Sequence, residues 1–289
     1  MKMSIKKTTD NAVVGVITAI LLIGLIVAII SLIQTMYIPK IMEQREADHM
    51  DKVAEQFTDL TAVIDTQAAN PTNTMPIATS ITLGSKELPY MLSTRAYGTL
   101  EILDKASSIT IIGNPSHLPF KIGRITYSSM NAYFLNQNYS YEAGALIVSQ
   151  LEEGNLMMIR PSFSAAINSS TLDIFFDVVN ITSIGEKTIA SGFGTYPIQT
   201  EFYNTTNFTF ADVTSMTITT PFSNAWYFFI RSSFIGAGIN ENDFHLPPPI
   251  GQDLVLDGFS SSDFSSVRVI LKIINIRAQI GPGWVQQNH

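Results

Sequence analysis

An unbroken run of 22 uncharged residues, Ala12 to Ile33, constrains this chain more than any other feature. Rich in Ile, Leu and Val, it covers roughly 33 Å as a helix at about 1.5 Å per residue, enough to cross the hydrocarbon of a bilayer. A cleavable secretory signal has a shorter apolar stretch of about 7–15 residues that ends in small residues at the cut. This run instead passes straight into Gln34-Thr35-Met36-Tyr37. A transmembrane helix over residues 12–36 is therefore expected, the alternative being a buried core helix. Composition agrees, because only 14% of residues are charged, where about 25% is usual for a soluble chain.

The flanks set the direction. Residues 1–11 form a basic stub with Lys2, Lys6 and Lys7 against Asp10, whereas residues 34–70 carry Lys40, Arg45 and Lys52 against seven acids. The positive side stays in the cytoplasm, so the rest of the chain is expected outside the cell. Within residues 37–70, Met50, Val53, Ala54, Phe57, Leu60 and Ile64 recur at helical spacing, and Glu43, Asp48, Asp51, Glu55 and Asp59 lie largely on the other side. That is an amphipathic helical stalk with an acidic outer face. Pro39 should kink it, since proline removes an amide donor and crowds the carbonyl four residues earlier. Asn70-Pro71 should close it. From residue 12 to 68 such a helix is roughly 85 Å long.

From Pro71 to His289 the pattern changes to short β-rich runs punctuated by Gly, Pro, Asn and Ser. Strands are expected at Ser80–Leu83, Gly98–Leu103, Ser108–Ile112, Arg124–Tyr127, Ala145–Val148, Thr171–Val179, Thr188–Ala190, Ser215–Thr220 and Ser266–Arg277. In the last of these Val267, Val269, Leu271 and Ile273 alternate with Arg268 and Lys272, as in a half-buried strand. One helix interrupts them, Asn224–Ile235, with Trp226, Phe229, Ile230 and Phe234 turned to the sheet. The loop from Gly238 to Pro249 is expected to be extended and exposed. The fold class is thus α+β: a long transmembrane-plus-amphipathic helix, then a β-rich, sandwich-like extracytoplasmic domain over residues 71–289 with one short helix.

The short basic stub with Lys6-Lys7, the apolar run from Ala12-Val13-Val14-Gly15-Val16-Ile17 to Ile33, and its uninterrupted passage into an amphipathic helix resemble the archaeal type IV pilin and archaellin superfamily. Tyr139-Ser140-Tyr141-Glu142-Ala143-Gly144-Ala145 is also similar to a segment of such archaeal membrane proteins. The resemblance implies an apolar helix that first anchors the subunit and then packs with copies of itself or with other pilin-like subunits, beneath an outward β-rich domain. It also implies that the stub is a class III signal peptide, although Thr8-Thr9-Asp10-Asn11 stand between Lys7 and Ala12. On that reading Gly15, Ala19, Gly24 and Ala28 are the helix-assembly residues, because small side chains permit close helix approach.

Sequons occur at Asn138, Asn168, Asn180, Asn204 and Asn207. Chance matches are common in a stretch this rich in Asn, Ser and Thr, and an outside location makes N-glycosylation the other reading. For catalysis the chain offers little. It has no Cys, which excludes thiol nucleophiles and zinc–thiolate sites. His49, His117, His245 and His289 are scattered without metal-ligand spacing, and Asn240–His245 is a short acidic loop without the register of a calcium hand. Glu152-Glu153-Gly154-Asn155 reads as a hairpin turn, and no GxSxG or HExxH occurs. No catalytic residue, metal or cofactor is expected. The net charge of −7 without a basic cluster argues against nucleic acid. The expected role is a pilin-like structural or adhesive cell-surface subunit and not an enzyme. The rival is a monomeric membrane-tethered module that binds glycan or polymer through exposed Tyr and Asn, with Tyr90, Tyr97, Tyr127, Tyr133, Tyr139 and Tyr141 as its aromatic candidates.

Overall fold

The computed structural model describes residues 6–72, 75–86, 95–116, 119–150 and 154–281. Helix α1 (Lys6–Leu32) runs through a π-helical turn, Ile33–Tyr37, into α2 (Ile38–Ala69). The π turn is the way the helix admits Pro39. Proline leaves the carbonyl four residues earlier without its donor, and the preceding amide, Ile38 N–H, reaches five residues back to Ile33 O. The distortion expected at Pro39 therefore sits on its N-terminal side, as a widened turn. At the other end the Asn70 amide still bonds the carbonyls of Thr66 and Gln67, while its backbone leaves the helical region ahead of Pro71.

Twelve strands follow in the described residues: β1 (Ile77–Thr82), β2 (Tyr97–Asn114), β3 (Phe120–Met130), β4 (Gln137–Glu142), β5 (Ala145–Gln150), β6 (Gly154–Ile159), β7 (Phe163–Asn168), β8 (Thr171–Ser183), β9 (Ile189–Gly192), β10 (Thr195–Thr219), β11 (Asp253–Asp257) and β12 (Ser266–Ile280). Helix α3 (Ser223–Gly236) lies between β10 and β11. Pairing runs β6-β5-β4-β3-β2-β10-β12-β8-β7, with β1 and β11 added to β10 and β9 to β2. Every described pair is antiparallel except β8 with β12, which run parallel in unbroken register from Thr171/Ser266 to Ser183/Ala278. Strand β10 joins two sheets. Its first part, Ile198–Phe210, pairs with β12, and beyond Ala211 it pairs with β2. Asp212, at φ 50°, lies in the irregularity between the two. The first and last strands of the path, β6 and β7, are consecutive in the chain with only residues 160–162 between them. The sheet thus curls until its two ends meet, and α3 packs against both β6 and β7.

Several expectations are refined. The two expected strands Gly98–Leu103 and Ser108–Ile112 are one strand, β2, with a bulge where Lys105 takes φ 55°. Ser215–Thr220 is the end of a 25-residue strand whose polar first part was not foreseen. The loop after Gly238 is not simply extended and exposed, because it makes a 3-10 turn at Glu241–Asp243 and buries Ile239 and Phe244. The segment Tyr139–Ala145 is the β4–β5 hairpin, and Ala143 and Gly144 both adopt positive φ at its turn, as a two-residue hairpin loop requires.

Two cores form, one on each side of the β8–β12 pair. Along β8, Leu172, Ile174, Phe176 and Val178 are buried in the first, then Val179 and Ile181 in the second. Along β12, Val267, Val269, Leu271 and Ile273 give way likewise to Ile274, Ile276, Ala278 and Ile280. Alternate residues face opposite sides of a strand. With the register between β8 and β12 unbroken, the two sets must point to opposite faces. The first core is closed by α3 through Trp226, Phe229, Ile230 and Phe234, and the second by α2 through Met50, Val53, Phe57, Leu60 and Ile64. Strand β3 changes face at Gly123, where it crosses β8. A Cβ built there would lie 2.0 Å from the Ile181 carbonyl oxygen, and the Gly123 amide donates to Asn180 Oδ1 at 2.9 Å.

Candidate functional site

The most unusual surface in the molecule is α1. From Val13 to Leu32 every residue is exposed, including Val16, Ile17, Leu21, Ile23, Leu25 and Ile30. It belongs to the one described helix that is long and apolar enough to cross a membrane. Gly15 and Gly24 have no other part of the chain within 4 Å of a built Cβ, and Ala19 and Ala28 share their exposure. A contiguous apolar surface of this kind is not left to water in a folded protein.

Where α1 becomes α2, exposure ends abruptly. Ile38 and Met42 are buried, and Glu46 is 0% exposed although it carries a carboxylate. The carboxylate accepts three backbone amides from the β3–β4 loop: Ala132 at 3.1 Å, Tyr133 at 2.7 Å and Phe134 at 2.7 Å. A buried carboxylate is tolerated only when its lone pairs find donors, and consecutive amides turned to one point supply them. Three residues further on, His49 packs edge-on to Tyr127 and bonds the Thr82 carbonyl through Nε2–H at 2.9 Å. Gln67, near the end of α2, donates to the Thr200 carbonyl at 2.7 Å. These bonds and the second core tie α2 to the sheet along its length, so the amphipathic helix is a layer of the β domain.

Burial pushes the His49 pKa below its ordinary 6.5, and nearby Lys52 adds to the effect, against the Thr82 hydrogen bond and Glu46, which work to raise it. Its folded state therefore resists a proton that the unfolded chain accepts once pH drops below about 6.5. Stability should fall as pH is lowered from 6.5 toward the depressed folded value, and remain flat above 6.5. His49→Gln should flatten that part of the profile in thermal unfolding followed by circular dichroism. An unchanged profile in the variant would remove His49 from the account.

The sequons fall into different environments. Asn168 is exposed beside the tight β7–β8 turn, where Ser169 and Ser170 take positive φ, and it donates one amide hydrogen to Asp173 at 2.9 Å. A glycosylated amide keeps one N–H, so this bond is compatible with modification. Asn207 is exposed on β10, and Asn138 is half-buried on β4. Asn180 and Asn204 belong to a ladder across three strands. Asn180 donates to Asn275 Oδ1 at 2.8 Å, Asn275 donates to Asn204 Oδ1 at 2.6 Å, and Asn180 Oδ1 takes the Gly123 amide. A glycan at Asn180 would have to enter the crossing of β3 and β8.

Other polar clusters are structural in their geometry. Glu142, 1% exposed, accepts from Thr220 at 2.6 Å and Trp226 at 3.2 Å and pairs with Arg124 at 3.3 Å, tying α3 to the β4–β5 hairpin. Asp173 is held by both Arg268 Nε and Nη2, at 2.7 and 2.8 Å, which keeps its carboxyl below the usual carboxylate range. His245 Nδ1 meets Asp257 at 2.7 Å, Arg231 pairs with Glu241, and no three His, Asp or Glu side chains gather as a metal set among the described residues. Tyr127, Tyr139 and Tyr141 are buried, and Tyr97 packs edge-on against Phe193. His117, Glu152, Glu153, Tyr90 and His289 lie outside the described residues.

Sequence reasoning placed α1 but missed Glu46 and His49. The one available signal was Glu46 falling four residues before Met50 on the apolar stripe. A family model matches residues 11–241, that of a family of unknown function, DUF7289. No curated protein and no solved structure matches the chain.

Proposed function

The chain belongs to the DUF7289 family, and we propose that it is a pilin-like structural or adhesive subunit of the cell surface. In this reading α1 spans the membrane, the basic stub is cytoplasmic and the β domain lies outside. The observation that carries it is the contrast along one continuous helix: from Val13 to Leu32 α1 is exposed at every residue, while α2 is built into the core. A helix bare on every side fits lipid, or close packing with other helices. Its rigid continuation would hold the outer domain at a set position over the membrane, which suits a subunit of an array better than a module on a loose tether. The rival, a monomeric glycan-binding module, has fewer aromatic side chains to work with, because Tyr127, Tyr139 and Tyr141 are in the core. Asn168 and Asn207 are the fully exposed sequons that do not belong to the asparagine ladder, and they are where an outward-facing glycan would sit.

Electron microscopy of the native surface fraction tests the reading, together with the exchange Gly24→Leu. Leucine keeps α1 apolar and able to insert, but fills the space a neighbouring helix would use. Filaments in the native fraction from which Gly24→Leu subunits are excluded are the expected result. Filaments that admit the variant at the normal level would refute close packing at Gly24. Native material that stays monomeric in the membrane would favour the tethered module.

A further inference from the structure

Strand β6 ends the path of the sheet and pairs with β5 alone among the described residues. Its other edge presents unpaired amides and carbonyls, a ready template for a further strand, which proteins usually blunt with lysine, proline or a bulge. Gly154–Ile159 contains neither Lys nor Pro, and its bulge is at Met158, where the register with β5 steps from Ile159 to Met157. Gly154 to Met157 remain regular. A cavity of about 630 Å³ lies along this edge. Asn155, Leu156 and Met157 all line it, and because consecutive side chains point to opposite faces of a strand, a cavity that touches all three follows the edge and not a face. Helix α3 supplies the facing wall through Phe228, Phe229 and Ile235. The slot is open to solvent, since Leu156 is 65% and Phe228 64% exposed. Two guanidinium groups border it. Arg231 is engaged by Glu241, whereas Arg160, exposed just beyond the end of β6, makes no hydrogen bond or ion pair among the described residues.

Each of these features selects a property of the occupant. The open edge calls for an extended backbone, the apolar walls for apolar side chains at alternate positions, and the free guanidinium for a carboxylate. We propose that the slot binds an extended peptide segment of a partner protein, added as a strand beside β6, with alternate apolar side chains turned to α3 and an acidic residue at Arg160. Antiparallel pairing, the more stable of the two directions, puts that acid at the N-terminal end of the segment, because Arg160 follows the C-terminal end of β6. Met157 and Phe229 belong to the first core, which lies across the β8–β12 pair from α2. The proposal therefore goes beyond the reading of α1 and does not rest on it.

The probe is a fluorescein-labelled peptide, Gly-Glu-Val-Thr-Val-Thr-Val-amide, titrated by anisotropy against the full chain in phosphatidylcholine nanodiscs, which avoid detergent in the slot. Saturable binding is expected. Arg160→Gln should weaken it by about fivefold, the scale of an exposed ion pair, and Phe228→Ser by about tenfold. Replacing the peptide's Glu by Gln should cost the wild type the same factor and the Arg160→Gln chain nothing further, a comparison that needs no altered protein to fold in its first arm. Backbone pairing is read with two N-methylated peptides, one blocked at the Val amides and one at the Thr amides. Alternate amides of a strand point to one edge, so one set should lose binding by about tenfold or more and the other should keep it. No saturable binding, or an equal loss from both methylated sets, overturns strand addition at β6. Equal affinity in wild type and Arg160→Gln overturns the acidic partner. Since the chain has no cysteine, Leu156→Cys reports a rival occupant: efficient disulfide cross-linking between copies in native membranes, without peptide binding, would make the edge a contact between copies of this chain and overturn the partner peptide.

Discussion

Gly123→Ala should destabilise the full-length protein by about 3 kcal/mol, the upper range for forcing extra atoms into a packed interior. The new Cβ would fall 2.0 Å from the Ile181 carbonyl oxygen and within 2.9 Å of the Leu103 carbonyl oxygen. Both obstacles are backbone, so no rotamer change relieves the clash, and β3 and β8 must separate where the two cores change face. Separation would also stretch the bond from the Gly123 amide to Asn180, the first link of the asparagine ladder. Gly194→Ala is the control, because its Cβ would meet only the Tyr196 ring edge at 3.5 Å, an ordinary contact. Denaturant unfolding in detergent, followed by tryptophan fluorescence, reads both. A Gly123→Ala protein as stable as the Gly194→Ala protein would mean that the crossing is looser than its geometry indicates.

Glu46→Ala should cost a similar amount, about 3 kcal/mol, because hydrogen bonds to a charged acceptor contribute about 1.5–3 kcal/mol each and the loop amides regain some water once released. Three amides, of Ala132, Tyr133 and Phe134, lose their acceptor together. Glu46→Gln keeps the shape and one carbonyl oxygen, so it should lose about half as much. The loss should be localised. Protease cleavage within residues 131–136 should accelerate strongly in Glu46→Ala before the rest of the domain opens, as expected when one loop detaches from its anchor. If the loop stays protected in Glu46→Ala, the carboxylate does not hold it.

The candidate site was legible where it depended on composition along one segment and hidden where it depended on a distant partner. The bare helix α1 follows from 22 uncharged residues. Helical periodicity likewise gave the buried stripe of α2 and the inward face of α3, Trp226, Phe229, Ile230 and Phe234. Glu46 reads as one more acid on an acidic helix until a loop 86 residues away supplies its donors. His49 reads as an isolated histidine until Thr82 and Tyr127 enclose it. The sequon at Asn180 matches its motif as well as Asn168 does, yet one is enclosed at a strand crossing and the other is exposed at a turn. A three-residue motif records what an enzyme could recognise in an extended chain and carries no information about what covers it.

By itself the amino-acid order determined the helices, because their periodicity and their ends are local: an apolar run, a stripe at every third or fourth position, and a proline after Asn70. It also determined that most of the remainder is strand, and in hindsight the neighbouring Ile273 and Ile274 mark the point where β12 changes its buried face. Only the tertiary structure decided which strands pair. The parallel union of β8 and β12 joins residues 95 apart, Thr171 with Ser266, and the 25 residues of β10 are held as one strand by β1, β2, β11 and β12 in turn. Thr195–Thr214 is too polar to announce itself as a strand, since backbone hydrogen bonds to neighbours far away in sequence, and not side-chain pattern, keep it extended. Strand propensity states only that a segment suits a pleated, half-buried surface; which surface it joins is settled by packing across the whole domain.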